Sequence, residues 1–222
     1  MFRKDPLITN HIYHIFNRGV NKGEIFYDDD DYRHLYLTAI HYKNNNTKFS
    51  YEKLVGLNDT GSLREPLGKS GLPFNPKVQI LAYCLMPNHF HLLLKQLEDR
   101  GITWYLQHVI NSYVHYLNVK HDRSGPLFQG RFKNVLIESD EQLIHVSRYL
   151  HLNPLVSNLT SDLKSYPWSS FNKYIGNADD ELCDIDLVSE FFKSTEGYEQ
   201  FVMDQADYGR TLERIKHLTL DR

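Results

Sequence analysis

The stretch from Val78 to Leu94 leaves a chain of this kind few ways to fold. Val78 to Leu85 is apolar and β-prone, with Tyr83 and Cys84 inside it. Pro87-Asn88 then reads as a tight turn, because proline presets φ and asparagine tolerates unusual backbone angles. His89 to about Lys95 continues as a second strand, so the spacing predicts an antiparallel hairpin. Side chains alternate across a strand, which puts His89 and His91 on one face and sends Phe90, Leu92 and Leu94 into a core. The two imidazoles sit roughly 7 Å apart in Cα by the rise of a strand and can share one metal ion. The plain alternative is a half-exposed polar face. A metal site needs a further ligand from elsewhere and a reactive group beside it.

Size supports such a core. The 222 residues are 41% hydrophobic, enough for one globular domain with a small appendage. The two cysteines, Cys84 and Cys183, lie far apart and form no close-spaced metal knuckle, so a reducing cytoplasm is the expected compartment. The first residues lack the apolar core of a signal peptide. No apolar run approaches the length of a membrane helix, and no membrane partner is expected. A net charge of -3 argues against broad, nonspecific coating of nucleic acid but leaves room for a local basic groove.

Around the hairpin, His11 to Asn17 reads as a strand, followed by a turn-rich loop through Arg18-Gly19 and Asn21-Lys22-Gly23. The acidic run Asp28 to Asp31 reads as a helix start rather than a carboxylate metal cluster, since Tyr32, Leu35, Tyr36, Ala39 and Ile40 follow at helical spacing. Residues 44 to about 77, rich in glycine and proline, read as a long loop or insertion. Gly101 to His121 is a helix with an apolar stripe of Leu106, Val109, Ile110, Tyr113, Val114 and Leu117. Past Asp122, the loop carries Arg123, Arg131 and Lys133 with no acid between Arg123 and Lys133, and Phe128 and Phe132 interleave with them. Cations for phosphates beside rings for bases suit a nucleic-acid strand, although an ordinary solvated loop looks the same. Lys120 and Arg18 complete the candidate DNA contacts.

Asn134 to Glu138 reads as a short strand, and Ser139 with Gln142 gives a capping-box start to a helix that Pro154 should end at about Asn153. His145, Tyr149 and Asn153 share one face of it. A tyrosine can attack phosphorus, but a free phenol titrates near 10 and needs help, which a divalent metal on the scissile phosphate supplies. Asn153 would bring an oxygen ligand beside Tyr149, and mixed nitrogen and oxygen ligands suit Mg²⁺ or Mn²⁺. Two short helices are expected in the tail, around 186 to 193 and 197 to 218.

His89-Phe90-His91 within Met86-Pro87-Asn88-His89 resembles the motif of the HUH endonucleases. Gly125-Pro126-Leu127-Phe128-Gln129-Gly130-Arg131-Phe132, Arg148-Tyr149-Leu150-His151-Leu152-Asn153-Pro154, Tyr166-Pro167-Trp168-Ser169-Ser170 and Asn17-Arg18-Gly19 resemble the REP-associated tyrosine transposases, the IS200-like group. The resemblance covers roughly residues 8 to 175. It implies an α+β fold, a ferredoxin-like antiparallel sheet with helices packed mainly on one face, here with a small helical C-terminal extension over 176–222. It implies a single catalytic tyrosine, Tyr149, and a metal held by His89, His91 and Asn153. The chain is therefore expected to be a metal-dependent, DNA-nicking and strand-joining enzyme of the transposase kind. Its partner would be single-stranded DNA, at hairpin or REP-like palindromic sites, and it would act as a monomer or homodimer through a 5′-phosphotyrosine intermediate. Two alternatives stay open: a domesticated DNA-binding protein without catalysis, and a histidine-triad-type nucleotide hydrolase. The latter lacks a third alternating histidine, since position 93 is leucine.

Overall fold

The computed structural model describes residues 6–43 and 76–205. The expected insertion at 44–77 lies almost wholly outside the described residues, as does the chain beyond 205. Four strands, β1 (Ile12–Arg18), β2 (Val78–Met86), β3 (His89–Gln96) and β4 (Lys133–Ile137), form one antiparallel sheet in the order β2-β3-β1-β4. Between them run α1 (Asp29–Lys43) and α2 (Gly101–Lys120), and after β4 comes α3 (Asp140–Val156). Short helices α4 (Phe171–Tyr174), α5 (Asp186–Ser189) and α6 (Thr195–Met203) follow. The order βαββαβ with the two hairpin strands at one side is the ferredoxin-like arrangement, and the fold is α+β.

The strands alternate as their sequences require. Tyr13, Ile15, Phe90 and Leu94 are buried under α1 and α2, and Gln96 on that face accepts a hydrogen bond from the Ile102 N–H in the first turn of α2. The opposite face carries His14, Phe16, His89, His91 and Leu93, and α3 packs over it. Two long helices thus cover one face and one covers the other. Burial on both faces explains why His91 is only 6% exposed where a polar outer face was one reading.

α1 and α2 are joined by charge as well as by apolar packing. Asp31 is fully buried, and its carboxylate accepts from Lys120 Nζ at 2.8 Å, His121 Nε2 at 3.1 Å and the Tyr27 N–H at 2.8 Å. Lys120 also bonds Asp28 at 2.7 Å. The acidic run therefore opens a helix, as its sequence suggested, and its inward carboxylate is neutralised by a lysine at the end of the next helix.

Two local expectations change. Pro154 does not end α3, which runs on to Val156. A proline costs a helix its own N–H and leaves the Leu150 carbonyl without its backbone donor. Asn153 Nδ2 turns back along the helix to donate to the Tyr149 carbonyl at 2.8 Å and the Leu150 carbonyl at 3.5 Å, which offsets that loss. In the tail, α5 ends at Ser189, short of the expected 193, while α6 covers Thr195–Met203 and the expected helix beyond 205 lies outside the described residues.

The tail is tied to α3 through a buried polar chain. Ser147 Oγ donates to the Ile144 carbonyl, so it accepts from Tyr198 Oη at 3.1 Å. Tyr198 Oη must then accept from His151 Nδ1 at 2.7 Å, which leaves His151 Nε2 to accept from Ser170 Oγ at 2.8 Å. Every member has a partner, so the network orders the core instead of weakening it. Burial lowers the His151 imidazole from 6.5 to about 3. The unfolded chain therefore binds a proton near pH 6.5 that the folded chain refuses down to about pH 3, and stability falls as pH falls through that window. Urea melts at pH 7 and pH 5 should differ less in His151→Gln than in wild type, by on the order of 2 kcal/mol. Equal pH dependence in the two proteins would remove His151 as a source of acid sensitivity.

Candidate metal and nucleophile site

Pairing of β1 with β3 builds the site. Phe16 lies opposite His91 and Arg18 opposite His89, and on the other side of β1 Lys133 lies opposite Phe16. Residues paired across an antiparallel ladder point to the same face. His14, Phe16, Arg18, His89, His91 and Lys133 are therefore gathered on one surface of the sheet. From α3, the Tyr149 ring stands edge-on to His91 at 5.5 Å and to His14 at 5.9 Å between centroids. Tyr149 is 48% exposed, so the residue facing the histidines is open to a ligand from solvent.

The hydrogen bonds of the two strand histidines decide which ring nitrogen each could offer to a metal. Asn88 Nδ2 donates to the Lys22 carbonyl at 3.1 Å, which orients Asn88 Oδ1 toward His89 Nδ1 at 2.6 Å. Oδ1 can only accept, so His89 carries its proton on Nδ1 and a lone pair on Nε2. His91 Nδ1 lies 2.9 Å from His14 Nε2, and among the described residues His91 Nε2 is buried without a hydrogen-bond partner. Burial lowers His89, with Arg18 adding to the effect, and His14, each to about 4; it also holds His91 well below its ordinary value, with His14, His89 and Arg18 as lesser causes. All three are neutral at neutral pH, the form that binds a metal. A buried, orphaned imidazole nitrogen beside a second imidazole fits a divalent cation with nitrogen ligands.

The third expected ligand, Asn153, sits one turn beyond Tyr149 on α3 and is half-buried. Its amide nitrogen is held by its own helix, which leaves Oδ1 as the atom it can offer. His145, on the same helix, is exposed and lies beside Arg148, whose NH2 is 2.6 Å from its Nδ1; both lean toward Phe201. It does not join the site.

The expected DNA contacts separate into two sets. Arg18 and Lys133 are exposed on the histidine face, and Arg131 is exposed in the loop just before β4. Arg123 is half-buried and lies over the Tyr27 ring at 5.9 Å. Lys120 is engaged by Asp28 and Asp31 and serves as a helix-joining charge. Phe128, expected to offer a ring to bases, is buried and packs edge-on to Phe90 at 5.7 Å.

The rival tyrosines are structural. Tyr113 is fully buried with its hydroxyl donating to the Ile25 carbonyl, and burial pushes its phenol up. Tyr116 stacks on His34 and bonds Asp31 at 3.3 Å. Leu93, where a histidine triad would need its third imidazole, is fully buried. Among the described residues, one trio of His, Cys, Asp or Glu brings all its ligand atoms within 4.8 Å, namely Asp28, Asp31 and His121. Lys120 already supplies the positive charge there. His14 was the residue that motif reading missed. Its signal was present, since His14 and Phe16 alternate with Tyr13 and Ile15, but only the pairing of β1 beside β3 brings it to His91.

No family model matches the chain. A curated protein of Haemophilus influenzae, provisionally named a REP-associated tyrosine transposase, is 26% identical over 105 residues, which span 43% of this chain and 60% of that protein. The match thus spans less than two thirds of that relative's length. A solved structure of a REP-associated tyrosine transposase bound to a REP hairpin superposes with a TM-score of 0.57 at 12% identity, covering 84% of this chain and 96% of that one. At that identity the likeness carries the fold. No helix among the described residues is long and apolar enough to cross a membrane. The resemblance of this sequence to the REP-associated tyrosine transposases is supported by both a curated relative and a solved structure of that name.

Proposed function

We propose that the protein is a metal-dependent single-stranded DNA endonuclease and strand transferase that works through a phosphotyrosine ester, at hairpin or REP-like palindromic DNA. The observation that carries this reading is the Tyr149 ring standing 5.5 Å from His91, beside an imidazole nitrogen that is buried and unpartnered. His89 and His91, through Nε2, and Asn153, through Oδ1, would hold Mg²⁺ or Mn²⁺. Once bound, such an ion withdraws charge from a phosphate and stabilises the charge that develops at phosphorus.

The chain's own groups supply the rest. Arg18 and Lys133 flank the histidine face and hold the phosphate backbone; Arg131 and Arg123 extend that path along the loop before β4. Tyr149 Oη attacks phosphorus as the nucleophile. The Oη–P bond forms, the bond from phosphorus to the 3′ oxygen breaks, and the phenol proton passes by way of solvent to that oxygen. The strand is left as a 5′-phosphotyrosine ester and a free 3′-hydroxyl. Attack by a 3′-hydroxyl on the ester reverses these bonds and joins the strand to the same or a new end, with no nucleotide cofactor. α3 positions the phenol over the sheet in advance, so little ordering is needed at the moment of reaction. The superposed transposase is bound to a REP hairpin, which supports hairpin DNA as the partner here.

Tyr149→Phe should keep the fold and hairpin binding but abolish the covalent adduct. Denaturing electrophoresis of DNA labelled 3′ of the cut reads this directly. An adduct in the Phe variant would give the nucleophile to another residue. Cut DNA without an adduct in wild type would make the reaction hydrolysis by water.

His89→Ala and His91→Ala should each lower Mn²⁺ affinity and cut the cleavage rate by about 100-fold or more. Wild-type cleavage in the double variant would dismiss the histidine site. Arg131→Ala with Lys133→Ala should reduce the slope of log affinity against log salt by about 1.4, for two phosphates on a single strand. An unchanged slope would route the DNA elsewhere.

A further inference from the structure

We propose that His14 is a positioning residue, whose Nε2 accepts the Nδ1–H of His91 and thereby makes His91 Nε2 the cation-facing nitrogen. This rests on the reading of His89 and His91 as a metal pair, and it concerns a residue outside the sequence motifs.

A neutral imidazole carries one proton. His91 Nδ1 lies 2.9 Å from His14 Nε2, while His91 Nε2 is buried with no hydrogen-bond partner among the described residues. If the proton sat on Nε2, a buried N–H donor would be left orphaned, which folded proteins rarely tolerate. With the proton on Nδ1, the 2.9 Å contact becomes a hydrogen bond to His14 and Nε2 keeps a lone pair. His89 shows the same arrangement, with its Nδ1 on Asn88 Oδ1 at 2.6 Å. Both strand histidines thus present Nε2, one fixed by an amide and the other by a third imidazole. Such partners set ring orientation and ligand basicity in metal sites.

His14 is not itself placed as a ligand in this arrangement. The ligand atoms of His14, His89 and His91 do not all fall within 4.8 Å of one another, since among the described residues only Asp28, Asp31 and His121 do. The His14 ring is instead packed among its neighbours, stacked on His91 at 5.1 Å, tilted against Phe16 at 5.1 Å and edge-on to Tyr149 at 5.9 Å. It therefore holds a metal-binding ring and touches the ring of the nucleophile.

Two measurements on the full chain test this. Long-range proton–nitrogen correlation spectra of the metal-free protein at neutral pH should show His91 protonated on Nδ1 and bare on Nε2. Titration with Mn²⁺ alone, followed by electron paramagnetic resonance, should show a dissociation constant roughly 10- to 100-fold weaker in His14→Phe, which keeps a packing ring but removes the acceptor. His14→Gln restores an acceptor oxygen and should recover most of the affinity. A wild-type His91 protonated on Nε2, equal affinity in His14→Phe, or a Gln variant as weak as the Phe variant would each overturn the proposal. A wild type that binds no Mn²⁺ would overturn the metal pair itself, and the His91 tautomer would then still decide for or against His14.

Discussion

The antiparallel pairing of β1 with β3 is the constraint on which the rest of the structure depends. Its register sets Phe16 across from His91 and Arg18 across from His89. Strand side chains have a period of two, so a slip of one residue would carry His14, Phe16 and Arg18 to the α1 and α2 side and bury Tyr13 and Ile15 on the wrong face. The fully buried Tyr13 and Ile15 make that slip costly, since each removes a large apolar side chain from water. The core therefore fixes the register, and the register assembles the site on the opposite face.

α3 completes the assembly because it must satisfy two sets of contacts. One face buries Leu143, Leu150 and Leu155, and the His151 network binds it to Ser170 and Tyr198. The rotation about the helix axis that meets those contacts also sets Tyr149 over the histidines. Asn153 contributes to the helix and, under the proposed reading, would contribute to the site as well. Its amide nitrogen compensates for Pro154, and its oxygen is left to a ligand. The tyrosine at 48% exposure stands beside a buried imidazole, so under the proposed reading an accessible phenol would meet a dry ligand, an arrangement that strengthens electrostatic interactions at a reacting group.

Much of this was legible in the sequence where the signal was local. Alternation marked the hairpin, proline and asparagine marked its turn, and helical spacing marked the start of α1 and the whole of α2 almost to the residue. Ser139 caps α3 as its pattern suggested, accepting from the Gln142 N–H at 3.1 Å, while the Gln142 side chain reaches the Glu138 N–H. What remained hidden depended on pairing between distant segments. His14 reaches His91 across 77 positions of sequence. Lys120 looked like a free cation until α1 brought Asp28 and Asp31 to it. Phe128 looked like a ring on a loop, but its isolated bridge to Gly19 draws that loop into the core. Proline at 154 reads as a stop, and only the turn of the Asn153 side chain shows why the helix continues.

The account stands or falls on where a divalent cation binds. Anomalous diffraction from crystals grown with Mn²⁺ locates it directly. The account predicts a peak at bonding distance from Nε2 of both His89 and His91, on the face beneath Tyr149, with the His91 Nδ1 still on His14. A peak confined to Asp28, Asp31 and His121, or one bonded through Nδ1 of His91, would contradict it.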